Sequence, residues 1–194
     1  NLTNKNALRI LKPFDIICDC TDNFESRYLI NDAALILNKP NIYGSVAKFE
    51  GQATVFNLYE NSPSFRDLIP EPPPKELLPS CSEAGVIGVV PGVIGLIQAT
   101  EAIKIITNIG EPLDGRLLVF NALKMKFREL KLYKDENAKE IKRLVNYHEF
   151  CNTINTKSDD LKDYPVKHIS AKQLQSILNK NGNSWFLVDK TNIL

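Results

Sequence analysis

Polar side chains that could bind a cation or a phosphate stand together directly after a short apolar segment. They are Asp19, Thr21, Asp22, Asn23 and Arg27. Two carboxylates supply the oxygen ligands that a hard cation prefers, and a cation held by few carboxylates usually brings phosphates with it. Arg27 lies one helical turn after Asp22, where it could pair with a carboxylate or reach a phosphate. The pattern indicates a metal and phosphate site, with a solvated or structural ion pair as the alternative for Arg27.

Cys81 is the second residue whose position favours chemistry. It follows a proline-rich stretch, residues 61–80, and precedes Gly85, so it stands where mobile backbone would meet a helix start. A nearby helix N-terminus would favour the thiolate, which is the form that attacks acyl groups. An inert, half-buried cysteine is the alternative. Cys18 and Cys20 lie two apart on a predicted strand and are interpreted as packing residues.

A strand that leads into a helix must position the first group of residues. Phe14, Ile16 and Ile17 form a run that is apolar on both faces, which is typical of a strand covered by helices on either side. Asp22 is predicted to be the N-cap of the following helix, with Glu25 completing a capping-box pair. The alternative is that Asp22 serves only as that cap. Because ligands of open parallel sheets sit beyond the carboxyl ends of the strands, the polar group would lie at such an edge.

The rest of the chain alternates between strand and helix patterns, which predicts an α/β fold. Two hairpins are predicted, formed by residues 41–46 with 52–59 and by residues 116–120 with 126–132. A helix bracketed by Pro91 and Gly110 is almost apolar all round, and we therefore expect it to be central.

Composition and charge exclude several classes of protein. The 194 residues are 43% hydrophobic with a net charge of +1, which allows a real core and gives no indication of nucleic-acid binding. The longest apolar stretch, residues 85–99, is interrupted by Pro91 and four glycines, so no membrane span is predicted. Four cysteines without a short-range framework indicate a reducing compartment. Together with abundant Asn, Lys and Ile, typical of AT-rich genomes, they predict a plastid stroma or a bacterial-type cytoplasm.

A charged stretch separates two predicted domains. The first is residues 1–133, the linker is residues 134–164 with one helical turn around 141–150, and residues 165–194 begin a second α/β domain. One helix and one strand cannot bury a core, so we expect the second domain to be truncated. Position 1 is Asn and the only methionine is Met125, so a fragment of a longer protein is expected.

Three ordered blocks resemble the adenylyltransferases that activate sulfur-carrier proteins, the molybdopterin-synthase and thiamine-biosynthesis enzymes related to ubiquitin-activating enzymes. The blocks are Asp19-Cys20-Thr21-Asp22-Asn23-Phe24 with Arg27 and Asn31-Asp32, Glu50-Gly51-Gln52 with Val55-Phe56, and Pro79-Ser80-Cys81-Ser82-Glu83-Ala84-Gly85-Val86 running on to Gln98-Ala99-Thr100-Glu101-Ala102-Ile103-Lys104. With Phe127-Arg128-Glu129-Leu130, the ordered set is far more specific than any single motif. Residues 168–189 resemble, over a shorter span, the opening of a rhodanese domain.

The resemblance implies the second half of a Rossmann-like adenylation domain, in which parallel strands continue into antiparallel hairpins, followed by the start of a rhodanese-like α/β domain. It implies ATP-dependent adenylation of the C-terminal glycine of a small ubiquitin-like sulfur carrier, which is later sulfurated to a thiocarboxylate. On the matching positions, Asp22 would hold magnesium, and Asn23 and Arg27 would bind the nucleotide. Cys81 would take the acyl group as a thioester. A homodimer is also implied.

The chain departs from the family pattern at two points. The Gly-rich loop, the ribose-binding acid and the phosphate-binding Arg and Lys of the family would precede residue 1, so we expect no complete ATP site. Many members bind zinc through two CxxC pairs, but Ser64 and Asp67 stand where the first pair would be, and residues 134–140 offer no second. We therefore predict no zinc.

Two other functions remain open at the level of the sequence. One is a non-catalytic scaffold that docks a ubiquitin-like partner. The other is an NAD-dependent oxidoreductase, which the α/β pattern suggests but for which the glycine fingerprint is missing.

Overall fold

A five-stranded mixed sheet organises the residues that the computed structural model describes, which are 1–73, 85–138 and 140–157. In spatial order the strands are β1 (Ile17–Asp19), β2 (Asn41–Ala47), β3 (Glu50–Phe56), β4 (Arg116–Asn121) and β5 (Lys126–Lys131). β1 and β2 are parallel, and each later neighbour is antiparallel. The described helices are α1 (Ala7–Leu11), α2 (Phe24–Leu37), α3 (Phe65–Leu68), α4 (Val89–Thr107) and α5 (Tyr147–Lys157). This arrangement confirms the α/β prediction with parallel strands continuing into antiparallel hairpins.

Both predicted hairpins are present. β2 and β3 pair from Asn41 opposite Phe56 to Ala47 opposite Glu50, and β4 and β5 pair along their whole length. The turn between β2 and β3 places Lys48 at a φ of 50°, and the turn before β5 places Met125 at a φ of 47°. The alternation of β-prone residues in the sequence was therefore sufficient to locate these strands.

β1 is shorter than the sequence indicated. Phe14 is 56% exposed and precedes the strand, while Ile17 and Asp19 are buried. α2 covers the face of Ile17, which packs with Ile30 and Ala34. The opposite face carries Cys18 and Cys20, and both thiols are exposed. The interpretation of these cysteines as packing residues is therefore wrong, because only one face of β1 is covered within the described residues.

Aromatic side chains form the core beneath α2. The rings of Tyr28 and Phe65 lie 5.0 Å apart in an edge-on arrangement, and Tyr43 lies 5.4 Å from Phe56. Helix α5 adds the buried residues Tyr147 and Cys151 to the same cluster. Most of α5 thus lies later than the turn predicted at residues 141–150, and it packs into the compact unit Asn1–Lys157.

Helix α4 lies on the other face of the sheet, against β2 and β3. Its buried side chains are Val90, Ile94, Gln98 and Glu101. Leu96, Ile103 and Ile106 are each more than 60% exposed, so the prediction of a central helix is wrong. The reason is that only one face of α4 meets the sheet within the described residues. By length and apolar composition alone, α4 would also qualify as a membrane-spanning helix.

Candidate functional site

The turn between β1 and α2 carries the residues predicted to bind a cofactor, and it borders a cleft. The lining residues are Cys20, Thr21 and Asp22 from the turn, Arg27 from α2, Gly44, Ser45 and Val46 from β2, and Pro91, Ile94, Gly95 and Gln98 from α4. The described residues enclose about 160 Å³, less than the roughly 300–1,000 Å³ of ordinary small-molecule pockets. The cleft therefore has room for part of a ligand and not for a whole nucleotide.

Asn23, and not Asp22, is the N-cap of α2. Its backbone is extended, with φ of −138° and ψ of 150°, and its side-chain Oδ1 accepts a hydrogen bond of 2.8 Å from the backbone N–H of Ser26. The predicted cap and capping box at Asp22 and Glu25 are therefore wrong. Asp and Asn are equally good caps, so the choice depends on where the backbone enters the helix. Because Asn23 is the cap, the alternative that Asp22 serves only as a cap is wrong.

Asp22 presents an exposed carboxylate at the edge of the cleft. Among the described residues it accepts one side-chain hydrogen bond, of 3.3 Å, from Nδ2 of Asn23. Magnesium is usually held by one or two carboxylates together with substrate phosphates, so a single exposed carboxylate fits that ion. No cluster of three or more His, Cys, Asp or Glu side chains suited to a metal occurs in the described part of the chain.

Asp19 does not join Asp22 at the edge. It is 1% exposed, and its Oδ1 accepts hydrogen bonds from the backbone N–H and the hydroxyl of Thr21, at 2.9 and 2.7 Å. Burial raises the pKa of Asp19, although the Thr21 hydrogen bonds and the charge of Arg27 oppose that rise. The two carboxylates that the sequence placed at one edge therefore differ in role, and Asp19 shapes the turn.

Arg27 is buried at the base of the cleft. Its Nε and Nη2 donate to the carbonyl of Thr21 at 3.2 and 2.9 Å, and its Nη1 donates to Tyr43 Oη and Ser45 Oγ at 3.0 and 2.7 Å. No carboxylate within the described residues forms an ion pair with it, so the alternative of a solvated or structural ion pair is wrong. Four of its five N–H groups donate hydrogen bonds to described residues, so one N–H of this buried cation is left for a ligand. Such a group favours an anionic ligand.

Sequence reasoning did not identify Gln98 and Gly44 as site residues. Gln98 is a buried polar side chain on the apolar helix α4, and its Nε2 donates to the carbonyls of Asp19 and Ile42 at 2.8 and 3.1 Å. Its position as a lone amide among apolar residues was the available signal. Gly44 interrupts a β-prone run in the same way.

Cys81 lies in residues 74–84, and the predicted rhodanese start lies in residues 165–194; both segments are outside the described residues. Ser64 and Asp67, at the positions of the missing zinc ligands, form a capping box at the start of α3. Asp67 also accepts a hydrogen bond of 2.7 Å from the backbone N–H of Asp135.

Comparison with known proteins gives consistent sequence matches. The model of the ThiF family matches residues 1–143. The probable adenylyltransferase/sulfurtransferase MoeZ of Mycobacterium tuberculosis is 47% identical over 158 residues, which are 79% of this chain and 40% of that protein. The sulfur carrier protein adenylyltransferase of Thermus thermophilus is 44% identical, over 77% of this chain and 59% of that protein. The adenylyltransferase and sulfurtransferase MOCS3 of Anopheles gambiae is 40% identical, over 98% of this chain and 45% of that protein.

Solved structures support the same fold at much lower identity. E. coli MccB with ATP has a TM-score of 0.59 at 14% identity, covering 73% of this chain and 44% of that chain. E. coli MccB with MccA-N7isoASN has a TM-score of 0.57 at 12% identity, covering 74% and 44%. The chain spans 40% to 59% of the length of the three sequence relatives named above.

Proposed function

The chain belongs to the ThiF family, and on that premise we propose that the protein adenylates the C-terminal glycine of a small ubiquitin-like sulfur carrier with ATP. The carboxylate of the carrier attacks the α-phosphate of ATP, and pyrophosphate leaves. The observation that carries the proposal is that an exposed carboxylate, Asp22, and a buried cation, Arg27, line the same cleft. Asp22 would hold a metal ion with its bound phosphate, and Arg27 would attract an anionic acyl group to the same cleft.

The residues of the turn have separable roles in this proposal. Asp22 would hold magnesium, which when bound neutralises charge on the phosphates. Asn23 uses its Oδ1 for the helix cap and donates one amide N–H to Asp22, so its second amide N–H is the donor left for the nucleotide. Arg27 holds the turn through Thr21 and offers its remaining donor to the cleft. These residues bind and orient, which is most of what this transfer requires.

The acyl group would next reach Cys81. In the proposed step the Cys81 thiolate attacks the carbonyl of the acyl-adenylate, a C–S bond forms, and AMP leaves with the electrons of the C–O bond. The support is the sequence around Cys81, since this residue lies outside the described part of the chain. Attack of hydrosulfide on the thioester carbonyl would then form a new C–S bond, release the Cys81 thiolate and leave the carrier as a thiocarboxylate.

The proposed partners are the sulfur carrier and a second copy of this chain. Leu96 and Ile103 lie seven residues apart on α4, hence on one face, and are 73% and 61% exposed. We assign this apolar face to a homodimer and not to a membrane or nucleic acid. The opposite face of the same helix packs against the sheet through Gln98 and Glu101, as expected of a helix in a globular domain. For location, the cysteine usage and composition favour a plastid stroma or a bacterial-type cytoplasm.

Pyrophosphate exchange into ATP tests the proposal directly. The full-length protein is incubated with ATP, labelled pyrophosphate, magnesium and a purified sulfur carrier, and the matched control is the carrier without its terminal glycine. We expect exchange only with the intact carrier. Binding of the carrier without exchange would instead support the scaffold function, and a C-terminal rhodanese activity would be tested separately with thiosulfate.

A further inference from the structure

Gln98 links helix α4 to the backbone of two neighbouring strands. Only 5% of the residue is exposed. Its amide Nε2 donates to the carbonyl of Asp19, the last residue of β1, and to the carbonyl of Ile42 in β2. Its Oε1 lies 3.5 Å from the thiol of Cys20. One side chain therefore ties the helix that forms one wall of the cleft to the backbone that leads into the Asp22 turn.

Strand β2 leaves space for this amide at Gly44. A Cβ atom added at Gly44 would lie 2.5 Å from both Cδ and Oε1 of Gln98. Real side chains do not approach so closely, so any residue larger than glycine would displace the amide. Gly44 and Gln98 therefore act as a matched pair.

The turn before Asp22 is held at three backbone groups. Gln98 holds the carbonyl of Asp19, Asp19 itself holds the N–H of Thr21, and Arg27 holds the carbonyl of Thr21. Asp19 and Arg27 belong to the turn and to the helix that follows it. Within the described residues, Gln98 is the side chain that fixes the turn to α4, across 79 positions of sequence.

We propose that Gln98 is a positioning residue that holds the Asp22 turn in register with the α4 wall of the cleft, and that Gly44 is the glycine that makes this possible. The catalytic consequence rests on the proposed function, because it assumes that Asp22 must stand at a fixed place relative to the reacting groups. The structural consequence, that Gln98 fixes the turn to α4, does not depend on the proposed function. If the amide is removed, the turn loses its attachment to α4 while the cap of α2 at Asn23 remains.

The first measurement follows the turn itself by amide hydrogen exchange in the purified full-length protein. Gln98→Met keeps nearly the same volume and removes both donors. The matched control is Thr54→Val, which also deletes a buried hydrogen bond to a backbone carbonyl, that of Leu113, away from the cleft. We expect the Thr21 amide to exchange at least about tenfold faster in Gln98→Met and to be unchanged in Thr54→Val. Equal exchange in the two variants would overturn the proposal.

Gly44→Ala provides the second variant, and it keeps the proposal testable if Gln98→Met does not fold. It retains the glutamine but occupies its space, so the same rise in exchange at Thr21 is expected. If Thr21 exchanges in Gly44→Ala as it does in the wild type, the pairing of Gly44 with Gln98 is wrong.

The catalytic measurement uses the full-length enzyme. With Gln98→Met we expect kcat for carrier-dependent exchange to fall by about tenfold to a hundredfold, as for small misplacements of reacting groups. The apparent KM for magnesium should rise, whereas Thr54→Val should show wild-type kinetics. A fall in activity without any change in the magnesium KM would count against positioning of Asp22. If the wild type shows no exchange, the proposed function fails, and the hydrogen-exchange result still decides the role of Gln98.

Discussion

Asp22 is the side chain on which the proposed chemistry depends at the scale of single residues. It is exposed at the cleft edge, and α2 is capped by its neighbour Asn23. A cap and a metal ligand compete for the same carboxylate oxygens, and here they fall on two different residues. The two roles can therefore be tested independently by substitution.

Asp22→Asn tests the metal role in the full-length enzyme. We expect a loss of about 2.7–4 kcal/mol of transition-state stabilisation, by analogy with removal of one oxyanion-hole donor, or roughly a hundredfold to a thousandfold in rate. The melting temperature should not change, because the cap is elsewhere. Asn23→Ala is the matched control and should cost about 0.5–2 kcal/mol of stability. Adenylation by Asp22→Asn within about threefold of the wild type would rule out the metal role.

Asp19 gives a prediction about pH. Because burial raises its pKa, the folded state binds this proton more tightly than the unfolded chain does. Stability contributed by Asp19 is therefore lost as the pH rises from the ordinary Asp pKa through the raised value. Asp19→Asn keeps an Oδ1 acceptor for Thr21 and removes the buried charge, so at pH 7 it should melt at the same temperature as the wild type or higher.

The same measurement at lower pH completes the test of Asp19. The difference in melting temperature between Asp19→Asn and the wild type should close below about pH 4, where the carboxyl is protonated in both states. A variant that melts lower than the wild type at pH 7 would show that attraction to Arg27 outweighs the burial of the charge.

At the scale of elements, α3 illustrates how a short helix can join distant segments. Asp67 Oδ2 accepts hydrogen bonds from the N–H and hydroxyl of Ser64, at 2.6 and 2.8 Å, while its Oδ1 accepts from the N–H of Asp135. Hydrogen bonds thus connect the two regions that cysteine pairs would connect in zinc-binding members of the family. The absence of zinc remains a prediction.

Elemental analysis and chelation test that prediction. We expect no stoichiometric zinc in the purified protein and no change in melting temperature with EDTA. Asp67→Ala should lower the free energy of unfolding by about 1–3 kcal/mol, because it leaves buried donors without a partner. One zinc per chain would contradict the prediction.

Helix α5 is anchored by a buried carboxylate on α2. Asp32 accepts both donors of the Arg66 guanidinium fork, at 2.9 and 2.8 Å, and the hydroxyl of Tyr147 at 2.7 Å. Burial, together with the charge of Asp32, raises the pKa of Tyr147, so its hydroxyl stays protonated and able to donate. The hydrogen bonds to Asp32 therefore join α2, α3 and α5.

Tyr147→Phe removes only the hydroxyl that donates to Asp32. We expect a loss of about 1.5–3 kcal/mol in the free energy of unfolding, since the acceptor is charged. Tyr28→Phe is the control, because its hydroxyl donates to the neutral carbonyl of Ile69, and about 0.5–1.5 kcal/mol is expected there. Urea denaturation of the three proteins measures the difference, and equal losses would argue against the charged acceptor as the anchor of α5.

At the scale of the whole molecule, the outward face of α4 is the surface that we propose pairs with a second copy of the chain. Light scattering of the wild type should report a dimer, and the double variant Leu96→Lys with Ile103→Lys should report a monomer of unchanged helix content. Tyr59→Lys, at an exposed position away from α4, should remain dimeric. A wild-type monomer, or one that sediments with lipid vesicles, would contradict the assignment of this face to a second copy.

The sequence by itself determined the local order of this protein. Alternating β-prone residues located both hairpins, Asn38 and Pro40 ended α2, and the polar cluster after β1 marked the cleft. These features depend on periodicity and on residues close in the chain, which a sequence displays directly. The ordered motif blocks of the sequence also identified the family.

Tertiary structure decided which of these residues meet and which faces are covered. The cap fell on Asn23 because of the angle at which the chain enters α2, and Asp19 turned inward to Thr21. Gln98 reached the turn from 79 positions away, and α4 was left half exposed because the sheet covers one face. Such outcomes depend on contacts between distant segments and on the backbone geometry that those contacts fix, and periodicity in a single sequence carries no information about either.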